Sequence, residues 1–461
     1  MPTLVIGNLA QLGSNTFFPI DKVSDVIQVN ENFTKLWPSH NFKAGGQYQN
    51  LRFTNGAPPD SRGQFTFSGV YTSIPTITDG STGIAQFLLT PVTSTAPNGI
   101  NVLGGANTVV ASNFAIPDYG RAYYGVYGQD DWKVTGRLTL NLGLRWDFFG
   151  ITGENYGAMG NFVPGTPFHG ARYLVSASRG ARGELPLSQK FLDTLAKDGI
   201  DLVKTSSSGM GTSQKTNFAP RTGFAYRVSN RLVFRGGYGI YYGGFENVGG
   251  DNLGGNYPFL YTFNFPTPDP NHPITYSDGS TATLERGFLG IPRALLVNPQ
   301  GLQLKGIQTN FKTPYTQSYN MTLQWQVSAS QTLSVGYVGS SSRHLILSPS
   351  ANQVSQMLPP GANAQLYVPF PDLGRGSNYD ATEGNSFYNS MQTNFERRFN
   401  GGLSASVAYT WSQCRSDARD RLSGGQIGGY RAPALAGFGI HGDYSLCEFD
   451  AKQMLHASGR I

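Results

Sequence analysis

The side chains best suited to chemistry are two cysteines, six histidines, a run of glycines and a set of polar residues that alternate with apolar ones. The histidines (His40, His169, His272, His344, His441 and His456) lie far apart, and none stands in the HExxH spacing that sets two imidazoles on one helix face. They read as loop or strand-end residues rather than metal ligands. The chain has no GxSxG elbow to raise a nucleophile and no Walker loop to grip phosphate. Gly236, Gly237, Gly239, Gly243 and Gly244 hint at a dinucleotide fingerprint, but the GxGxxG spacing fails and no helical pattern follows. In a strand such glycines mark bends or the close approach of a neighbour. No cofactor and no enzymatic constellation is expected. Two thiols remain, whose chemistry is pairing, together with polar groups suited to holding solutes or one another.

What positions the polar groups is alternation. From Leu138 to Phe148 every second residue is apolar (Leu138, Leu140, Leu142, Leu144, Trp146, Phe148), and between them stand Thr139, Asn141, Gly143, Arg145 and Asp147. A strand sends successive side chains to opposite faces, so one face is greasy and the other wet. The pattern recurs in four hairpins: 123–134 with 138–149, 218–228 with 232–242, 315–327 with 332–339, and 386–399 with 403–412. Gly, Asn and Ser supply their reversals, as tight turns demand. Strands of this length cross a bilayer at a tilt near 45°. Their opposite ends are joined by the long segments 150–217, 243–314, 340–385 and 413–448. Short turns on one side and long loops on the other are the rule for outer-membrane barrels.

Composition agrees. Charged residues make up 13% of the 461, glycine numbers 59 and aromatics reach 13%, whereas ordinary soluble domains carry roughly 25% charge. No stretch approaches the roughly 18 apolar residues of a membrane helix. The net charge of +6 is spread along the chain; without a basic patch or stacking motif it does not indicate nucleic acid. Basic groups at a lipid-facing rim or in a lumen explain it as well.

The wet parity nominates a lumen wall, with Lys133, Asn141, Arg145, Asp147, Arg227, Arg235, Glu396 and Arg398 as its candidate polar residues, joined by Tyr127, Gln129, Asp131, Asn320, Gln324, Gln326, Gln392 and Asn394. They suit a solute path or contact with a plug; for any single residue, mutual pairing and hydration is the plainer role. The greasy parity carries Tyr124, Val126, Phe224, Tyr226, Met321, Leu323 and Val407. Trp132 and Trp325 stand beside short turns, and Trp146 and Trp411 beside long loops, as interface aromatics at both membrane boundaries would.

A weaker fifth hairpin spans 26–36 and 41–53, Gln64–Tyr71 adds a strand, and residues 449–461 begin another, for about twelve strands. Ile84–Leu89 reads as either a strand or a short helix. Pro186–Gly199 is the persuasive helix, with the stripe Leu187, Phe191, Leu192 and Leu195; packing among loops suits it better than capping the mouth or touching ligand. Cys414 and Cys447 flank one long loop. Antiparallel strands would bring them together in an oxidising compartment, either as a disulfide or as two isolated thiols.

The segment YGVYGQDDWKVTGRLTLNLGLRWDFFG (124–150) resembles the barrel of TonB-dependent outer-membrane receptors, nearest to the Oar-like group. NFAPRTGFAYRVSNRLVFRGGYGIYYGGFE (217–246), TPYTQSYNMTLQWQVSASQTLSVGYVGSSSRHL (313–345) and SFYNSMQTNFERRFNGGLSASVAYTWS (386–412) are similar to the same group in order, as are residues 30–53 and 63–73. The resemblance implies an all-β, antiparallel transmembrane barrel with long extracellular loops, of which this chain supplies about twelve of 22 strands. It also implies a plug and a TonB-contacting segment, neither recognisable here. Residues 1–11 lack the basic start of an export signal. Residues 1–461 are therefore expected to be the barrel region of such a transporter, truncated at both ends, in the bacterial outer membrane. Outer-membrane lipid, the TonB system through segments absent here, and an unknown large cargo (oligosaccharide, peptide or metal chelate) are its expected partners. The alternative is a surface adhesin or passive scaffold without energised transport.

Overall fold

The computed structural model describes residues 1–56, 58–72, 81–89, 94–95, 101–102, 106–165, 168–178, 187–244, 253–266, 301–354, 356–418, 441–442 and 444–461. Eleven long strands run through it: β1 (Ser24–Leu36), β2 (His40–Thr54), β3 (Asp118–Lys133), β4 (Leu138–Phe149), β5 (Asn217–Ser229), β6 (Leu232–Tyr242), β7 (Tyr315–Ser328), β8 (Gln331–Leu347), β9 (Tyr379–Asn400), β10 (Leu403–Ser416) and β11 (Gln453–Arg460). Each pairs antiparallel with the next, forming one open ribbon. Short strands at Gly153–Glu154, Gly306–Ile307 and Ser445–Leu446 join its long-loop rim to make fourteen. The five expected hairpins are all present; the strands Leu138–Phe149 and Leu232–Tyr242 have the expected bounds, and several others run further. Gln64–Phe67, counted among the wall strands from sequence, belongs elsewhere. It lies in a separate five-stranded sheet with Thr3–Ile6, Leu12–Gly13, Thr108–Ser112 and Thr262–Pro266, because its side chains bury on an independent small core of Leu4, Ile6, Phe65, Phe67 and Val109. Ser81–Leu88 is a helix beside that core.

The turns form where sequence permits sharp reversal. Thr135 Oγ1 accepts from the backbone N–H of Arg137 at 3.1 Å and of Leu138 at 3.0 Å. Between β9 and β10, Gly401 and Gly402 take φ of 63° and 84°, a left-handed region that side chains resist.

Register fixes the two faces. Leu140 lies opposite Trp132 and Phe224, and Trp146 opposite Val126 and Phe218, so apolar residues meet across strands on one side. On that side Leu142 stays 43% and Leu144 53% exposed, with no layer of described residues over them. Asn141 lies opposite Asp131 and Gly223 on the other side.

The described parts of the long connections are folded. The strands Gly160–Val163, Arg172–Ser176 and Asp201–Thr205 form a small sheet, and the helix Gln189–Lys197, N-capped by Ser188, packs beside it. Phe191 and Leu195 of that helix sit in a core with Phe162, Tyr173, Val175, Tyr257, Leu304 and Phe370, drawn from three different connections. The helix thus packs among loops, the role its stripe suggested; Pro186 lies outside the described residues. Buried asparagines stitch the connections where regular ladders are lacking. Asn256 Nδ2 donates to the carbonyls of Gly160 at 2.6 Å and Lys305 at 2.7 Å, and its Oδ1 accepts from Lys305 N at 2.8 Å. Asn352 does the same for Phe370 and Leu373.

Candidate functional site

The site is the polar face of the ribbon together with the cap that the long connections build over one end of it. Along β4 and β5 the described part of the cap covers the polar side. At the long-loop end Tyr119, Asp147, Asn217 and Ala219, all of polar-face parity, are buried, while Phe218, one residue along on the apolar face, is 53% exposed. Asn217 Nδ2 is held by Thr313 Oγ1 at 3.2 Å and by the Gln214 carbonyl at 3.3 Å. The described parts of the connections therefore fold over the wet side of these strands.

Below the cap, most of the polar residues nominated from sequence are paired. Tyr123 donates to Asp147 Oδ1 at 2.6 Å, Arg145 Nε donates to the same oxygen at 2.8 Å, and Arg145 Nη2 also donates to the Tyr123 hydroxyl. Gly125 lies beneath this network, where a Cβ would strike the Arg145 guanidinium. Asn141 Nδ2 donates to Asp131 Oδ1 at 2.6 Å. Arg235 Nη2 reaches Gln324 Oε1 at 2.6 Å, and Asn394 Nδ2 donates to Glu396 Oε1 at 3.0 Å. Arg227 Nη2 donates to the Gly136 carbonyl at 2.9 Å, at the short-turn rim. Lys133 and Arg398 are exposed near that rim and join no cluster. These residues are spread along the wall and converge on no single point.

Alternation missed several groups. Arg221, on the polar face of β5, lays its guanidinium 4.5 Å from the centre of the Tyr241 ring. Its parity was legible, but a proline and a threonine beside it break the greasy half of the pattern. His40 and Asp130 pair at 2.6 Å on the apolar face beside Trp132, whose ring stacks on the imidazole at 5.5 Å. Only register, which sets Trp132 opposite His40 and Asp130 opposite Phe42, reveals this pair.

Of the four interface tryptophans, Trp132 and Trp325 stand near the short-turn ends of β3 and β7, and Trp146 and Trp411 in the long-loop halves of β4 and β10. Trp146 Nε1 donates to the Lys215 carbonyl at 2.8 Å. The Cα atoms of Cys414 and Cys447 lie 5.4 Å apart with their sulfurs bonded, and Cys447 N donates to the Cys414 carbonyl at 3.1 Å. In the cap, burial and then the neighbouring Asp372 push the Asp198 carboxyl up to about 6, while Asp372 raises the Lys197 ammonium that it binds at 2.8 Å. Among the described residues no group of His, Cys, Asp and Glu is placed to hold a metal ion.

A one-sided apolar band, a wet opposite face and asymmetric connections are the features of a membrane wall. A family model described as an outer membrane beta barrel domain matches residues 1–460. The chain belongs to that family. Its place is accordingly the outer membrane, and the ribbon is barrel wall, here open at both edges. No curated protein matches the chain. Among solved structures it is similar to the outer membrane transporter YddB from Escherichia coli, with 10% identity and a TM-score of 0.42 over 86% of this chain and 34% of that one. It is similar also to the FrpB iron transporter from Neisseria meningitidis (12% identity, TM-score 0.38, 86% of this chain and 36% of that one). A third is the copper transporter OprC (10% identity, TM-score 0.36, 86% and 40%). The chain thus spans between a third and two fifths of the length of these structures.

Proposed function

We propose that this barrel wall belongs to a TonB-dependent receptor that imports a nutrient too large for porins: an oligosaccharide, a peptide or a metal chelate. The observation that carries the reading is the continuous polar face whose upper end lies under a folded cap. A scaffold that only binds partners from outside needs loops but has no use for a wet, lined interior. The resemblance of residues 124–150 and of the later hairpins to TonB-dependent receptors supports the same conclusion. Outer-membrane lipid meets the apolar face, with Trp132, Trp146, Trp325 and Trp411 at its two boundaries. The polar wall, including Arg145, Asp147, Arg235 and Glu396, faces the path, and the Cys414–Cys447 bond pins the loop at the mouth. Energy enters through TonB, and no step of covalent chemistry is assigned to the chain.

The test is uptake in cells that express the gene, with TonB intact and with TonB deleted, using labelled oligosaccharide, peptide and ferric-chelate mixtures. Accumulation of one class that disappears without TonB is the expected result. Surface binding that is unchanged by TonB deletion, with no accumulation inside, would replace the importer with an adhesin or scaffold.

A further inference from the structure

One stretch of the polar wall differs from the rest. Across β4, β5 and β6 the inward positions Gly143, Gly223, Gly237 and Gly239 fall on neighbouring registers: Gly143 opposite Arg221, Asn141 opposite Gly223, Gly223 opposite Gly237, and Arg221 opposite Gly239. Four missing side chains leave a recess of about 200 Å³, and a second hollow of about 180 Å³ adjoins it, sharing Gln129, Gly143 and Arg221. Local packing does not require all of these glycines. Neither Gly223 nor Gly237 has left-handed backbone. A Cβ at either would meet its nearest neighbour at 3.5 Å or 3.4 Å, an ordinary contact. Glycine inside a strand weakens it and commonly marks a place where something must approach the backbone closely.

The rim supplies what would approach. Elsewhere on the wall Arg145, Arg235 and Glu396 are occupied by partners. Here Gln129, Arg221, Ser318 and Asn320 all border the recess. None makes a side-chain hydrogen bond to any described residue. Among the described residues Arg221 is held in place by the Tyr241 ring beneath it alone, which leaves its fork of N–H groups open to a planar oxyanion. Amides and a hydroxyl both donate and accept, which suits hydroxyl groups on a compact solute. Asp131, already bonded by Asn141 and Asn41, sits on the far side of the recess from Tyr241 and disfavours a solute carrying several negative charges.

We infer that this recess is a solute-binding station on the lumen wall, selective for a polyhydroxylated monocarboxylate of sugar-acid size, with Arg221 taking the carboxylate and Gln129, Ser318 and Asn320 the hydroxyls over a glycine floor. The inference rests on the importer reading for its biological use but not for its measurement, since equilibrium binding needs no TonB.

The experiment is saturation-transfer NMR on the closed barrel that contains this chain, in detergent micelles, with D-galacturonate, its methyl ester and D-galactose as probes. The wild-type chain is expected to bind galacturonate at least tenfold more tightly than either neutral probe. Arg221→Gln should erase that difference, a loss of about ten- to a hundredfold for galacturonate alone. Gly223→Ala with Gly237→Ala should weaken binding of all three probes while leaving heat-modifiable gel mobility unchanged, since each site has room for a Cβ. Equal binding of acid and neutral sugars, no saturable binding, or variants that bind like the wild type would each overturn the station. Binding with these preferences alongside TonB-independent surface retention in cells would keep the station and remove the importer; TonB-dependent uptake without recess binding would do the reverse.

Discussion

Replacing Leu144 by Arg isolates the claim that the apolar face meets hydrocarbon. β4 has 12 residues, and at about 3.4 Å each with a tilt near 45° it rises about 29 Å, close to the height of a barrel's apolar band. Leu144 is its seventh residue and so lies near the midplane. Its side chain is 53% exposed. Its cross-strand partners on that face are Gly128 and Pro220, and nothing lies within 4 Å of where a Cβ at Gly128 would stand. An arginine therefore fits without a clash, and the cost is transfer of its charge into lipid, about 2–4 kcal/mol at the midplane. The matched control is Gln392→Arg on the polar face of β9, where the opposing residues are Gly336 and Thr410. It should cost less than about 1 kcal/mol, as surface substitutions away from special features do. Guanidinium unfolding of the closed barrel that contains these strands, in phosphocholine vesicles and followed by tryptophan fluorescence, reads both. If Leu144→Arg costs under about 1 kcal/mol, or no more than Gln392→Arg, the two faces have been assigned wrongly and the lumen argument fails with them.

Phe191→Ala empties a fully buried site between Tyr173 and Tyr257. It should destabilise the cap by about 3–5 kcal/mol, seen as rapid protease cleavage within residues 187–205 while the wall strands stay protected; simultaneous loss of both would show that the cap is no separate unit. Cys447→Ser releases a closure of 33 residues, worth about 4 kcal/mol in the chain-entropy model, and hydrogen exchange at the β10 end should accelerate while β4 and β5 are unchanged. Because the Asp198 carboxyl is raised to about 6 from an ordinary 3.8, the folded cap holds a proton there that the unfolded chain gives up. Its contribution is full below about pH 4 and is lost as the pH climbs through 6. Exchange protection of the Gln189–Lys197 helix, corrected for intrinsic rate, should fall between pH 4 and pH 7, and Asp198→Asn should flatten that dependence; an unaltered slope in the variant would place its origin elsewhere.

The wall was legible because its cause is local. Alternation from Leu138 to Phe148 and the Asn400-Gly401-Gly402 reversal each dictate geometry within a few residues, and the paired strands lie next to one another in sequence. The cap was not legible for the opposite reason. Phe162, Tyr257 and Phe370 meet in one core although each sits in a different connection, and no period in the sequence announces such a meeting. Gln64–Phe67 shows how the local rule misleads: it alternates like a wall strand, yet it pairs in parallel with Thr3–Ile6 and faces a core of its own. The helix from Gln189 was visible in its stripe, but the partners of that stripe were not. For the candidate site, parity alone could nominate polar residues without separating those already satisfied, such as Arg145, from those with no described partner, such as Gln129 and Asn320, and it passed over Arg221 altogether. That distinction depends on which side chains stand on the adjacent strands, and hence on register.

The ribbon's edges sharpen what the membrane requires. Eleven antiparallel long strands give β1 and β11 the same direction, both running from the long-loop end toward the short-turn end. The outer N–H and C=O groups of each edge have no described strand beside them. In hydrocarbon an unsatisfied backbone group costs several kcal/mol, so even a handful on each edge would outweigh the roughly 5–15 kcal/mol by which a folded chain is stable. Bending the ribbon until β1 meets β11 would join parallel strands. An antiparallel closure instead takes an odd number of further strands between the two edges, whichever chain supplies them. The apolar band on one side, the wet wall and its recess on the other, and the cap over the mouth are all set within these eleven strands. Their stability as membrane wall depends on that closure.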